Sequence, residues 1–256
     1  MSFENIVVRF DGPLMWLTLN RPAEANAISI AMGKEFCAAI EQAERDPAIH
    51  VVILQGNGRF FCAGGDVAMM AAADDPAVFL KELAETMHLG LLRLAGSRLI
   101  TIAAVDGYAA GAGLGLVLNA DVVLASERAG FLSAYGTIGL TPDCGVSYLL
   151  PRVVGPRRAA HMALLGRKVN ADEGLAWGLV TEVVAQGDLV GRARELGESL
   201  GTGASQMLGP TKKLLSAGTL EGYARHLDDE AEAISAMISL PDTRRRISEF
   251  LARSSR

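Results

Sequence analysis

Two glycine-rich turns carry the clearest chemical signal in this sequence, Phe60-Phe61-Cys62-Ala63-Gly64-Gly65-Asp66 and Tyr108-Ala109-Ala110-Gly111-Ala112-Gly113. Each follows an apolar, strand-like run and precedes a helix-like one. A helix start leaves backbone N–H groups without intrahelical acceptors. Two such turns facing one crevice could therefore offer a pair of donors to a developing oxyanion. The same glycines also serve tight turns and close packing, and either turn alone is open to that plainer reading. Other chemistries fit poorly. Gly111-Ala112-Gly113-Leu114-Gly115-Leu116 has Leu116 where a dinucleotide fingerprint needs its third glycine. The sequence holds no G-x-x-x-x-G-K-[ST], no H-E-x-x-H and no G-x-S-x-G. His50, His88, His161 and His226 stand apart without ligand spacing, and no C-x-x-C pair joins Cys37, Cys62 and Cys144, so no metal site is expected.

The elements that must position these turns follow from hydrophobic periodicity. Glu4 to Phe10 and Leu14 to Asn20 read as a hairpin around Asp11-Gly12-Pro13. Ser29 to Arg45 reads as a helix capped by Ser29, His50 to Gln55 as a buried strand, Pro76 to Leu94 as a helix, and Leu99 to Val105 as another buried strand. Ala110 to Leu118 carries only small and aliphatic side chains, as suits a helix buried against other backbone, and Asp121 to Ala125 is a further strand. Strands and helices alternate to about Leu165, which signals an α/β fold with crossover connections. From Asp188 onward the chain reads as helices: Asp188 to Leu200, Ala204 to Ser216, Leu220 to Leu240 and Thr243 to Ala252.

Composition narrows the class further. The 256 residues are 50% hydrophobic and 21% charged, enough apolar material for one substantial core with a helical appendage. With 24 Lys+Arg against 29 Asp+Glu the formal charge is −5, and the longest basic run is Arg244-Arg245-Arg246, so a general grip on nucleic acid is not expected. Three scattered cysteines argue for a reducing compartment. MSFENIVVRF does not read as a signal peptide, and Leu99 to Val105 is too short to span a membrane, so a cytoplasmic location is expected.

Four motifs taken together carry a resemblance. They are Asn20-Arg21-Pro22 with Asn26-Ala27 downstream, Phe61-x-Ala63-Gly64-Gly65-Asp66, Ala103-Ala104-Val105-Asp106-Gly107-Tyr108-Ala109-x-Gly111-x-Gly113, and Ile138-Gly139-Leu140-x-Pro142-Asp143. In this order and spacing the chain resembles the crotonase (enoyl-CoA hydratase/isomerase) superfamily from about Ile6 to Phe250. That resemblance implies an α/β spiral of ββα units over residues 1–190 holding a CoA-thioester site, and a C-terminal helical trimerisation region over 191–256. It implies an acyl-CoA thioester as substrate, with coenzyme A as part of the substrate and no separate cofactor, and a homotrimer or dimer of trimers. The oxyanion donors would be the N–H groups of Gly65 and Ala112. Substrate contacts are implied at Ala25, Ala27, Ala63, Asp66, Tyr108, Gly111 and Tyr135, although Asp66, directly after Gly65, reads first as a helix cap. Tyr135 fits either a hydrogen-bonding role or simple filling. Phe250 and Arg253 match the spacing of a Phe and a Lys with which related enzymes reach a neighbouring subunit's CoA.

The resemblance fixes an enolate-stabilising step but not the reaction. Hydratases of the superfamily carry two glutamates at positions that fall here on Gly115 and Tyr135, neither of which is an acid. The remaining motif carboxylate is Asp143. Its surroundings, Gly136 to Gly145 followed by Leu149-Leu150-Pro151-Arg152-Val153-Val154-Gly155, are similar to ring 1,2-epoxyphenylacetyl-CoA isomerases and to Δ3,Δ2-enoyl-CoA isomerases. One carboxylate suffices to move a proton from C2 to C4, so isomerisation with Asp143 as general acid/base is the expected reaction. Asp143 could instead cap the helix that follows. A hydratase that borrows Glu82 or Glu85, thioester hydrolysis, decarboxylation or dehalogenation with Asp143 as base or nucleophile, and a catalytically silent acyl-CoA binder are the rival readings.

Overall fold

Strand β1 (Ile6–Asp11) turns at Gly12, whose φ of +57° the tight turn requires, onto β2 (Leu14–Leu19), with Ile6 opposite Leu19. In this computed structural model, which describes residues 3–254, every later strand of that sheet runs parallel: β3 (Val51–Gly56), β4 (Ile100–Val105), β6 (Val122–Ser126) and β9 (Glu182–Val184). The order is β1-β2-β3-β4-β6-β9. Parallel strands are buried on both faces and read as continuous apolar runs, as all six residues of β4 are.

Alternation along the strands divides the core in two. Leu14, Trp16, Val51, Ile53 and Ile102 pack beneath α8 (Leu189–Thr202) through Leu189 and Ala193. Met15, Leu17, Val52, Leu54 and Ala103 face the larger cluster, which takes in α1 (Ile30–Arg45), α3 (Pro76–Gly96) and α10 (Tyr223–Ile238). Ser29 caps α1 by accepting from Met32 N–H at 3.1 Å. The expected division at residue 190 falls inside α8.

A second, smaller layer makes the spiral. Strands β5 (Tyr108–Ala110), β7 (Gly130–Leu132) and β8 (Val169–Asn170) pair in that order, and bridges Cys62↔Ala109 and Ile28↔Gly65 continue the layer. Each long strand thus leads to a short pairing segment and then a helix. The unit after β2 ends in α1, and that after β3 in α2 (Val67–Ala72) and α3. Those after β4 and β6 end in α4 (Ala112–Leu118) and in α5 (Val146–Val154) with α6 (Pro156–Leu165). This is the ββα spiral that the motifs imply. Beyond it come α7 (Ala171–Trp177), whose start carries a capping box of Asn170 and Glu173, then β9, α8, α9 (Leu208–Leu220), α10 and α11 (Pro241–Ser254). The helix expected from Ala204 begins at Leu208, since Ser205–Met207 forms a 3-10 turn. Among the described residues, no helix is long and apolar enough to cross a membrane.

Candidate active site

The first turn is fixed from behind. Ala25 and Asn26 both adopt left-handed backbone, φ 51° and 56°, and this corner aims the Asn26 amide at the loop after β3. Its Nδ2 donates to Asn57 O at 2.9 Å and Phe60 O at 2.8 Å. Ala25 O accepts from Ala63 N–H at 3.0 Å. Asp66 accepts from Met69 N–H at 3.1 Å, capping α2, and pairs with Arg21 at 2.9 Å. Both of its oxygens are spent on structure, as the cap reading expects.

The second turn needs glycine at Gly111, whose φ of 54° and ψ of −123° place it in a region that side chains exclude. The two turns touch: a Cβ on Gly64 (φ 106°) would lie 3.1 Å from Ala110 O and 3.6 Å from the Ala112 nitrogen. Several surrounding amides are satisfied within the chain. Asp66 N–H donates to Ile28 O at 3.0 Å, Ala110 N–H to Cys62 O at 2.9 Å, Gly111 N–H to Leu132 O at 3.2 Å and Leu114 N–H to Gly111 O at 2.9 Å. Among the described residues, the Gly65 and Ala112 N–H groups make no backbone hydrogen bond across these turns, as those of Gly64 and Gly113 also do not, so both are open to a ligand.

Asp143 precedes a corner in which Cys144 and Gly145 are both left-handed, φ 54° and 79°. Its carboxyl does not cap α5. That helix starts at Val146 without a side-chain cap from Asp143, and Glu230 of α10 accepts from Gly145 N–H at 2.7 Å and Ser147 N–H at 3.0 Å in its place. The Asp143 carboxyl accepts from the Tyr135 hydroxyl at 2.5 Å, so Tyr135 is a hydrogen-bonding residue rather than filling. Burial pushes Asp143 up to about 6 against the pull of that bond, and the same burial raises Tyr135 well above the usual phenol range. At Gly115 a Cβ would lie 2.7 Å from both Cβ and O of Cys144, leaving no room for an acidic side chain.

His88, which sequence spacing leaves isolated, meets Asp143 and Cys144 here, with potential ligand atoms within 4.8 Å of one another. Burial holds His88 neutral, down to about 4, and its Nε2 accepts from Cys144 N–H at 3.1 Å. Burial also raises the Cys144 thiol well above its ordinary value. An imidazole already spent on an amide beside a protonated thiol serves as packing with satisfied hydrogen bonds, not as a ligand set for a metal.

These features open onto one cavity of about 590 Å³, lined by Ala63, Gly65, Tyr108, Gly111, Ala112, Tyr135, Asp143 and Phe250 from the expected set. Its apolar wall comes from Met70, Leu80, Leu83, Met87, Leu140 and Ile234. Four expected contacts do not line it. Ala25 and Ala27 stand behind the first turn, where Ala27 O accepts from Arg21 Nη1 at 2.5 Å; Asp66 faces Arg21, and Arg253 is exposed near the end of α11. Phe250 enters the cavity of its own chain. The reason is the seat of α11 beside the Tyr135–Ile138 turn, where Thr243 Oγ1 donates to Gly139 O at 3.0 Å. The expected reach of Phe250 and Arg253 to a neighbouring subunit's CoA is a property of an assembly of chains. Glu82 and Glu85 are exposed and paired with Lys34 and Lys81 on the outside of α3, so neither supplies an acid to the cavity. Lys168 was not anticipated; it lines the cavity with its ammonium 6.0 Å from the Tyr108 ring, and no motif in the sequence marks it.

Comparison with known proteins agrees with this geometry. The model of the family described as enoyl-CoA hydratase/isomerase matches residues 9–255. The chain is 36% identical over 254 residues to the 1,2-epoxyphenylacetyl-CoA isomerase of Escherichia coli (strain K12), covering 98% of this chain and 97% of that protein. It is 30% identical over 257 residues to 4-chlorobenzoyl coenzyme A dehalogenase-2 of Arthrobacter sp, covering 100% and 93%. The crystal structure of an enoyl-CoA hydratase from Bacillus halodurans superposes with a TM-score of 0.88 at 27% identity, covering 96% of this chain and all of that one. Those names span three reaction types, so likeness alone leaves the reaction to the side chains around the cavity.

Proposed function

The chain belongs to the enoyl-CoA hydratase/isomerase family, and from that premise we propose that it isomerises acyl-CoA thioesters, shifting a double bond from the 3 to the 2 position or carrying out the equivalent change on a ring substrate. The observation that carries this reading is the single carboxyl among the residues lining the cavity, Asp143, with Gly115 and Tyr135 where hydratases keep acids. The thioester carbonyl would accept from Gly65 N–H and Ala112 N–H. Asp143 takes a proton from C2, the negative charge moves onto the carbonyl oxygen, and the two amides stabilise it. The same carboxyl then gives its proton back at C4, so no net proton and no separate cofactor enters. Buried acids with pKa values lifted toward neutrality suit such two-way transfer.

A dehalogenase-type reaction, with Asp143 as nucleophile, is the second reading, and the similarity to the Arthrobacter protein supports including it. The assembly implied by the family resemblance is a trimer or a dimer of trimers, and the scattered cysteines favour a cytoplasmic location. In that assembly α11, with Phe250 and the exposed Arg253 near its end, would reach a neighbouring subunit's CoA. A substrate panel tests the reaction: 3-enoyl-CoA is expected to turn over well above both crotonyl-CoA hydration and 4-halobenzoyl-CoA hydrolysis. Hydration at a comparable rate overturns the isomerase reading, halide release in preference to isomerisation selects the second, and binding without turnover of any substrate reduces the chain to an acyl-CoA binder.

A further inference from the structure

Behind the Asp143 corner lies a second buried carboxyl that the proposed reaction does not use. Glu230, on the inner face of α10, is 4% exposed. Its Oε2 accepts from Gly145 N–H at 2.7 Å, and its Oε1 from Ser147 N–H at 3.0 Å and from the Ser147 hydroxyl at 2.5 Å. His88 Nε2 holds the preceding amide, Cys144 N–H, at 3.1 Å. A non-glycine residue such as Cys144 held at positive φ is strained and persists only where its surroundings over-determine it. Here α10 and α3 do so, by holding the amides of residues 144, 145 and 147.

We propose that Glu230 is a positioning residue for Asp143: by occupying the amides at the start of α5 it fixes the Cys144–Gly145 corner and leaves the Asp143 carboxyl free to face the cavity. Without it, the open N-terminus of α5 would be the nearest partner for that carboxyl, since carboxylates are favoured at helix starts. The inference rests on reading Asp143 as the proton carrier.

Charge couples the two acids as well as geometry. The groups facing Glu230 are Asp143, Cys144 and Tyr135 from the cavity side, Tyr223 and His226 from α10 itself, and neutral His88 from α3, which holds the Cys144 amide next to Gly145. Burial, with repulsion from Asp143 added, pushes Glu230 up to about 7. Burial thus raises both acids, Asp143 to about 6 and Glu230 to about 7, so both titrate within the range in which activity is followed.

The test is the pH dependence of kcat and KM for 3-enoyl-CoA in Glu230→Gln and Glu230→Asp, beside Asp143→Asn, with folding checked by circular dichroism. Glutamine puts an amide N–H where a backbone N–H must be accepted, so kcat is expected to fall by about 10²-fold, the cost of a small misplacement of a reacting group. KM should change little, and the rise of kcat/KM with pH should lose one of its two ionisations. Glu230→Asp keeps the charge, and so should keep both ionisations and recover part of the rate. A folded Glu230→Gln variant with wild-type kcat and an unchanged profile overturns the proposal while Asp143→Asn is inactive. If Glu230→Gln does not fold, wild-type kcat in Glu230→Asp overturns it and reduced kcat with both ionisations supports it. An active Asp143→Asn variant is a different outcome, which removes the reading of Asp143 on which the inference stands.

Discussion

Replacing Asp143 with asparagine is expected to cut 3-enoyl-CoA isomerisation by about 10²–10⁴-fold in kcat, the usual loss when a general acid/base is removed. KM should stay close to that of the parent chain. The substitution is nearly isosteric, and asparagine can still accept from the Tyr135 hydroxyl that now binds the carboxyl at 2.5 Å; what is lost is the ability to hold a proton between C2 and C4. Stability should move the other way. Burial raises the folded pKa of Asp143 from 3.8 to about 6, so the folded form is favoured relative to the unfolded chain while the group is protonated in both. That contribution is present below pH about 4 and is lost as pH rises through about 6. Asp143→Asn should therefore melt above the parent at pH 7 and level with it in acid, as followed by thermal unfolding at the two pH values. Retained activity with a lowered melting temperature would be the signature of a purely structural aspartate.

The second large effect is expected at Ala112. Its side chain is incidental to the proposed role, which belongs to its N–H, and only proline removes that group. Ala112 is the first residue of α4, the helical position where proline is best tolerated because no intrahelical bond is lost there. Ala112→Pro should accordingly fold, yet lose about 10²–10³-fold in turnover, the cost of one oxyanion donor. The ring also projects into the space the oxygen would take, so KM for 3-enoyl-CoA should rise as well. A folded proline variant with parental kinetics removes Ala112 from the site.

Much of this site was legible in sequence because glycine marks positions where backbone geometry leaves no choice. Gly64 and Gly111 need positive φ, and Gly115 lies too close to Cys144 for any side chain, so the two turns could be read as a unit before any fold was known. The identity of Asp143 was readable as motif, but its direction was not. Whether it caps α5 or faces the cavity depends on Glu230, which bonds to Gly145 from 85 residues further along the chain, and no local spacing reports such a partner. The same holds for His88, whose placement depends on α3 crossing behind Cys144. The long strands and helices declared themselves by periodicity, whereas β5, β7, β8 and β9 have only two or three residues each and no period to read. The destination of Phe250 turned on how α11 folds back over the Tyr135–Ile138 turn, a tertiary choice that an amphipathic pattern leaves open.

The central claim is that one carboxyl carries the proton between two carbons of the substrate. Turnover of 3-enoyl-CoA deuterated at C2, in ordinary water and with the product read by NMR, tests it most directly. The account predicts deuterium at C4 of the 2-enoyl product, delivered by Asp143 before the label washes out to solvent. A product whose new C4 hydrogen comes wholly from water, or one bearing a hydroxyl at C3, would contradict it.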